Sequence, residues 1–183
     1  MQKLQMLLTS MLIVSLAAFT WVYAQGSNDP NMMSGEDLAE IQHLYSQYNQ
    51  GTDFLNADRW LNVFTEDAIF RIGDNGAEWS GRDAMREYRS GSFATRSEGY
   101  TYRHWNSSWV VTPDGEGRAT GRVYWMGFDP SAEPLTIQDT GYYDDIYVKT
   151  AKGWRIKQRH AHPDPASPGG GSNSPGVPPG TRR

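Results

Sequence analysis

The sequence predicts an α+β domain in which a curved antiparallel sheet wraps around helices. Two observations carry this. Apolar residues recur at helical spacing only in the first half of the domain, and long strand-like segments separated by tight turns fill the second half. Helices followed by hairpin-connected strands make an α+β layer arrangement rather than a parallel α/β one. A strongly curved sheet of this kind can leave a cavity at its mouth, where a ligand would sit.

Each element has its own signal. Residues 1–24 read as a signal peptide: Lys3 gives a positive start, "MLLTSMLIVSLAAF" is the apolar stretch, and "VYA" places small residues before a cleavage site after Ala24. Residues 25–34 are a polar lead. Ser34 followed by Asp37 is a loose capping box, and Leu38, Ile41, Leu44, Tyr45 and Tyr48 recur as one face of a helix over 35–50. Gly51 interrupts this helix, and Asp53 falls at or just beyond its end. Asn56 or Asp58 caps a second short helix, "ADRWLNVFT", which buries Trp60, Val63 and Phe64. "AIFRI" (68–72) is a strand, and residues 81–96 begin a third helix that Gly91 shortens. Strands follow at 100–112, 118–128, 139–150 and 154–162, with "TPDGEG" and "AKG" as turns. Residues 163–183 are rich in Pro, Gly and Ser, which predicts a disordered tail.

Composition narrows the functional classes. The formal net charge is −4 and the folded part has no basic cluster, so nucleic acid is not an expected partner. The chain has no cysteine, which excludes disulfides and thiolate chemistry and suits an oxidising compartment. Export to a periplasm or the exterior is expected, with no stable membrane anchor once the signal is cleaved. Aromatic residues, 13% of the chain, must then supply much of the buried area that holds the core together.

The stretch "YTYRHWNSSWVV" (100–111) raises the question of chemistry. Alternate side chains on a strand share a face, so Tyr100, Tyr102, His104, Asn106 and Ser108 form a polar face, and Trp105, Trp109 and Val111 an apolar one. Histidine titrates near neutrality, and a nearby aspartate fixes its tautomer. Asp53 is the candidate partner. Such a pair can take a proton from one atom and return it to another, as dehydration and double-bond isomerisation require. His160 and His162 would share a strand face, and with His104 they could approach a metal. No carboxylate is fixed beside them in the sequence, however, so no metal ligand set is assigned and no cofactor is expected. Tyr45, Tyr124, Trp125 and Tyr142 read as packing residues and His43 as surface or satisfied core. Asp144 and Asp145 face opposite sides of a strand and cannot act together; they read as solvated or as partners of Arg155 and Arg159.

The blocks "YNQGTDFLNADRWLNVFTEDAIF", "GRDAMREY", "YRHWNSSWVV" and "GYYDDIYVKTAKGWRIKQR" resemble, in order and spacing, the SnoaL-like domains of the nuclear-transport-factor-2-like superfamily, and within it the scytalone dehydratase-like branch. The resemblance spans about residues 36–162. It implies a cone: about three N-terminal helices packed on a bent antiparallel sheet around an internal pocket, in a domain over 35–162. It also implies that Asp53 and His104 stand where the dehydratase has its aspartate–histidine pair. Thr52 stands where that enzyme has a tyrosine, and the place of its second histidine falls near Thr140. Half of the family apparatus is thus present. The expected function is that of an exported, cofactor-independent lyase or isomerase acting on a small, mostly apolar, oxygenated molecule. Asp53 and His104 would be catalytic, and Tyr48, Tyr102 and Asn106 would contact the substrate. The alternative is a non-catalytic binding protein of the same fold. A third option implied by the resemblance is a homodimer through the outer sheet face; the face with Trp105 and Trp109 could serve as that interface or as helix-packing core.

Overall fold

The computed structural model describes residues 32–74, 76–96, 99, 101–165 and 167. The predicted signal peptide, most of the polar lead and nearly all of the predicted tail lie outside the described residues.

Helix α1 (Gly35–Asp53) opens as its sequence dictates: the Ser34 side chain accepts from the Asp37 backbone N–H at 3.1 Å. Its apolar stripe buries Ile41, Leu44, Tyr45 and Tyr48. The helix runs through Gly51 instead of stopping there. The glycine serves a close approach, since a Cβ at this position would lie 2.6 Å from the Trp60 backbone nitrogen in α2 (Ala57–Leu61). Gly51→Ala is therefore expected to push α2 off α1 and cost about 1–3 kcal/mol, read as a lower midpoint in urea unfolding.

Asn56 is the residue that caps α2, accepting from Arg59 N–H at 2.9 Å. The helix is shorter than predicted. It ends at Leu61, because Val63 already accepts a sheet hydrogen bond from Ile156 N–H at 2.9 Å and Phe64 begins β1 (Phe64–Ile72). A short strand β2 (Glu78–Ser80), too brief to show a period in the sequence, folds back on β1. Helix α3 (Arg82–Ala94) continues through Gly91 instead of being shortened there, and a Cβ at that position would meet only open space.

Strands β3 (Arg103–Pro113), β4 (Arg118–Phe128), β5 (Ile137–Thr150) and β6 (Gly153–Pro163) form the predicted antiparallel meander. The six-stranded sheet has the order β2-β1-β6-β5-β4-β3, and β1 joins it parallel to β6. The fold is thus the predicted α+β arrangement, with the helices on the inner face of the sheet. The folded part also reaches past residue 162. Asp164 N–H donates to the Thr140 carbonyl at 2.9 Å, and Thr140 N–H donates to Ser167 Oγ at 2.7 Å.

The core is aromatic: Tyr45, Tyr48, Trp60, Phe64, Phe70, Tyr143, Tyr147 and Trp154 are all buried. At its centre lies Arg159, with no solvent exposure. Its Nε donates to Asp145 Oδ1 at 2.9 Å and its Nη2 to Oδ2 at 2.5 Å. The guanidinium also sits 4.1–4.5 Å from the ring centres of Tyr45, Tyr48 and Tyr143, a cation–π cage that offsets part of its desolvation. Asp145 thus has the predicted Arg159 as its partner. Asp144, on the other face, pairs with Arg122 rather than Arg155.

Candidate functional site

Asp53 is the last residue of α1, where a negative charge opposes the helix dipole. Helix stability alone does not favour an acid there, and its carboxylate is 95% shielded by the packing around it (5% exposed). Its partner is the second residue of β3. His104 Nδ1 lies 2.5 Å from Asp53 Oδ1, and His104 backbone N–H donates to Oδ2 at 3.1 Å. Both carboxylate oxygens therefore grip one residue, fixing the distance and the ring plane together. With Nδ1–H donating to the carboxylate, the neutral imidazole keeps its lone pair on Nε2.

Tyr102 lies next to this pair, its ring centre 4.8 Å from that of His104. Its phenol donates to Asp139 on β5. The contact depends on Gly127, since a Cβ there would overlap both the phenol and the carboxylate. Trp125, with its ring centre 6.4 Å from that of His104, stacks on Tyr143 at 5.9 Å. Asn106 is also nearby, and Asn49 of α1 ties it in: Asn49 Nδ2 donates to Asn106 Oδ1 at 2.6 Å and to the His104 carbonyl at 3.3 Å. His104, Asn106, Asn49, Trp109 and Met126 line a cleft of about 300 Å³ between α1 and β3.

Tyr48 lies deeper. It is buried against Arg159 and Tyr143, and among the described residues its ring is core wall rather than cleft lining. Tyr100 lies outside the described residues. The predicted polar face breaks at Ser108, whose φ of +55° accompanies a register shift between Ser107 and Val110. This bulge reverses the alternation. Trp105 is exposed on the outer face, whereas Trp109 turns inward onto Tyr45 with ring centres 4.3 Å apart. The two tryptophans therefore do not share a face, and Ser108 does not extend the His104 surface.

Thr52 and Thr140 have structural partners. Thr52 Oγ1 donates to the Tyr48 carbonyl at 3.0 Å, and Thr140 Oγ1 donates to Asp164 at 2.6 Å. His43 is exposed on α1 beside Gln47. His160 and His162 share the outer sheet face, as predicted. Their third neighbour is Asp74 rather than His104, so a carboxylate does stand beside them. Burial holds the His160 imidazole below its usual range. Asn49, Asp139 and Asp74 were not singled out by the sequence, because each reaches its partner only through strand or helix packing between distant segments.

Burial raises the phenols around this interior. Tyr102 is pushed up by desolvation and then by Asp139, and Tyr45, Tyr143 and Tyr147 are raised further by burial. A group whose folded pKa exceeds its unfolded value stabilises the fold fully below the unfolded value. That contribution is lost as pH rises toward the folded one. These four phenols are expected to stay protonated in the native protein above about pH 10, the ordinary tyrosine value, and to ionise together with alkaline unfolding. Ultraviolet difference absorbance against pH reads this directly.

Comparison with known proteins places the chain. The family model for the SnoaL-like domain matches residues 34–160. No curated protein sequence matches. Among solved structures, a Mycobacterium tuberculosis protein of unknown function is 28% identical, with 69% of this chain and 71% of that chain covered and a TM-score of 0.60. A candidate scytalone dehydratase from Novosphingobium aromaticivorans is 24% identical, covering 69% and 83%, with a TM-score of 0.58. A Nostoc punctiforme protein of unknown function with a cystatin-like fold is 20% identical, covering 74% and 97%, with a TM-score of 0.65. The bent sheet, the helices on its inner face and the family match over most of the chain agree: the protein belongs to the SnoaL-like domain family.

Proposed function

We propose that this domain moves protons on a small, mostly apolar, oxygenated molecule, as a cofactor-independent lyase or isomerase, with His104 as general acid/base and Asp53 orienting it. The observation that supports this reading is the two-point grip of Asp53 on His104, with one oxygen on Nδ1 and the other on the backbone N–H. Nε2 would accept a proton from a carbon beside a carbonyl, and the imidazolium would be stabilised by the carboxylate behind it. Dehydration would follow if His104 then protonated a departing β-hydroxyl, breaking the C–O bond and releasing water. Isomerisation would follow if it returned the proton to another carbon. Asn106 would position substrate oxygen, Tyr102, whose phenol is committed to Asp139, would pack beside the His104 ring, and Tyr48 would shape the inner wall. The cleft is at the small end of ligand sites, which suits a compact molecule.

A non-catalytic binding protein is the second reading. It is favoured by Thr52 and Thr140, whose hydroxyls are committed to the backbone and to Asp164 where the dehydratase-like pattern has acid/base groups. The test is proton NMR of small β-hydroxy ketones incubated with the protein in D₂O. Catalysis predicts deuterium at the carbon next to the carbonyl, or loss of water, with wild type. Saturable binding with no exchange would overturn the enzyme reading in favour of the binder.

Export, to a periplasm or the exterior, is part of the same proposal and is supported by Lys3, the apolar run and "VYA" at 22–24. For assembly, we infer a second copy against the outer sheet face, where Trp105, Val110 and Tyr124 are exposed. Sedimentation should show a dimer that Tyr124→Arg converts to monomer; a wild-type monomer would refute it.

A further inference from the structure

We propose that Asp74, His160 and His162 form a binding site for one divalent cation of the zinc class, on the opposite face of the sheet from Asp53 and His104. The topology assembles it. β6 presents His160 and His162 to the outer face, two residues apart, with ring centres 3.7 Å from one another. Because β1 runs parallel to β6, with Arg71 opposite His160 and Ile72 opposite Ala161, the turn after β1 arrives beside them. Gly73 N–H donates to the Ala161 carbonyl at 2.8 Å and anchors that turn. One carboxylate oxygen and one nitrogen from each imidazole then lie within 4.8 Å of one another.

The spacings suit shared coordination better than direct contact. Asp74 Oδ1 is 3.5 Å from His162 Nδ1 and 3.8 Å from His160 Nε2, beyond good hydrogen-bond length. In a tetrahedral zinc site with bonds of about 2.0–2.1 Å, adjacent ligand atoms stand roughly 3.3 Å apart. Small side-chain rotations close the difference.

A second observation is independent of these spacings. The His162 side chain is only 8% exposed, yet its Nδ1 has no hydrogen-bond partner among the described residues. A cation on Nδ1 would supply the missing partner. Behind the ring, Nε2 faces Asp144 Oδ2 at 3.4 Å, and Arg122 holds that carboxylate with two hydrogen bonds of 2.7 and 2.8 Å. A carboxylate behind a ligating histidine is the usual outer support of such a site. Tyr142 stacks on His162 with ring centres 4.5 Å apart. Without the ion His160 Nε2–H donates to the Gly73 carbonyl at 3.1 Å, and the ion would replace that proton on Nε2. Arg71 does not occupy the space as a rival cation on the carboxylate, since its guanidinium donates to the Asp74 backbone carbonyl at 2.6 Å.

Two imidazoles and one carboxylate favour zinc, cobalt or nickel over magnesium and calcium, which prefer oxygen ligands throughout. The bound ion would tie the turn after β1 to β6 and leave at least one position for water. The test is titration of the full-length protein with Co²⁺, followed by visible absorption, and with Zn²⁺, followed by calorimetry. The expected result is one ion per chain, with at least tenfold weaker binding in Asp74→Asn and in His160→Ala. His43→Ala, an exposed histidine remote from the site, should bind as wild type. Circular dichroism confirms that each variant is folded, and His162→Ala is left out because it opens a hole under Tyr142. Absence of saturable binding would overturn the proposal, as would binding that survives both Asp74→Asn and His160→Ala.

Discussion

His104→Ala is expected to lower catalysed proton exchange by ~10²–10⁴-fold, the range for loss of a positioned acid/base group. The variant removes Nε2 and leaves the cleft otherwise intact, because Asn49 contacts the backbone carbonyl at this position rather than the ring. The fall should therefore appear in kcat, with KM changed little. Asp53 keeps its backbone N–H donor in this variant, so the fold should survive. Asp53→Asn should also retain the fold and lose rate by a smaller factor, since the ring remains but its tautomer is no longer imposed. Equal loss of affinity in both variants with no loss of rate would show that the pair only builds a binding wall. Parallel ligand titrations and exchange rates make that distinction.

Asp145→Ala is expected to destabilise the fold by about 3–5 kcal/mol, the cost of stranding one member of a buried ion pair. The side chains of both Asp145 and Arg159 have no exposure, so water cannot replace the lost partner. Asp145 also accepts from the Tyr45 phenol and, at 3.2 Å, from that of Tyr147, and these groups lose their acceptor at the same time. Removing both charges is a different experiment. Asp145→Leu combined with Arg159→Met leaves no buried charge behind, and it should recover the part of the lost stability that came from the stranded guanidinium, though not the part from the two phenols. Urea unfolding of the single and double variants measures both. A cost below about 1 kcal/mol for Asp145→Ala would mean that the pair behaves as a solvated one.

Where the sequence reading succeeded, the signal was local or carried by a recognised pattern. Leu38, Ile41, Leu44, Tyr45 and Tyr48 mark one face of α1 because helical periodicity depends only on near neighbours. The Asp53–His104 pairing was legible because the family pattern places both ends, and Asp145 with Arg159 because both lie on long adjacent strands. What escaped detection depended on geometry between distant segments. Gly51 looked like a helix stop, yet its missing Cβ is used for the approach of Trp60. Unbroken alternation would put Trp105 and Trp109 on one face, and one bulge at Ser108 sends them to opposite faces. Asp74 carried no signal at all. It meets His160 and His162 only because β1 pairs in parallel with β6, a contact between residues more than eighty positions apart.

The grip of Asp53 on His104 places the ring proton on Nδ1 and the lone pair on Nε2. The most direct measurement is the nitrogen NMR spectrum of the His104 ring in wild type and in Asp53→Asn, at a pH where the imidazole is neutral. A single Nδ1–H tautomer is expected in wild type, and a shift toward the Nε2–H form in the variant. The same tautomer mixture in both proteins would contradict it, because the carboxylate would then exert no hold on the ring.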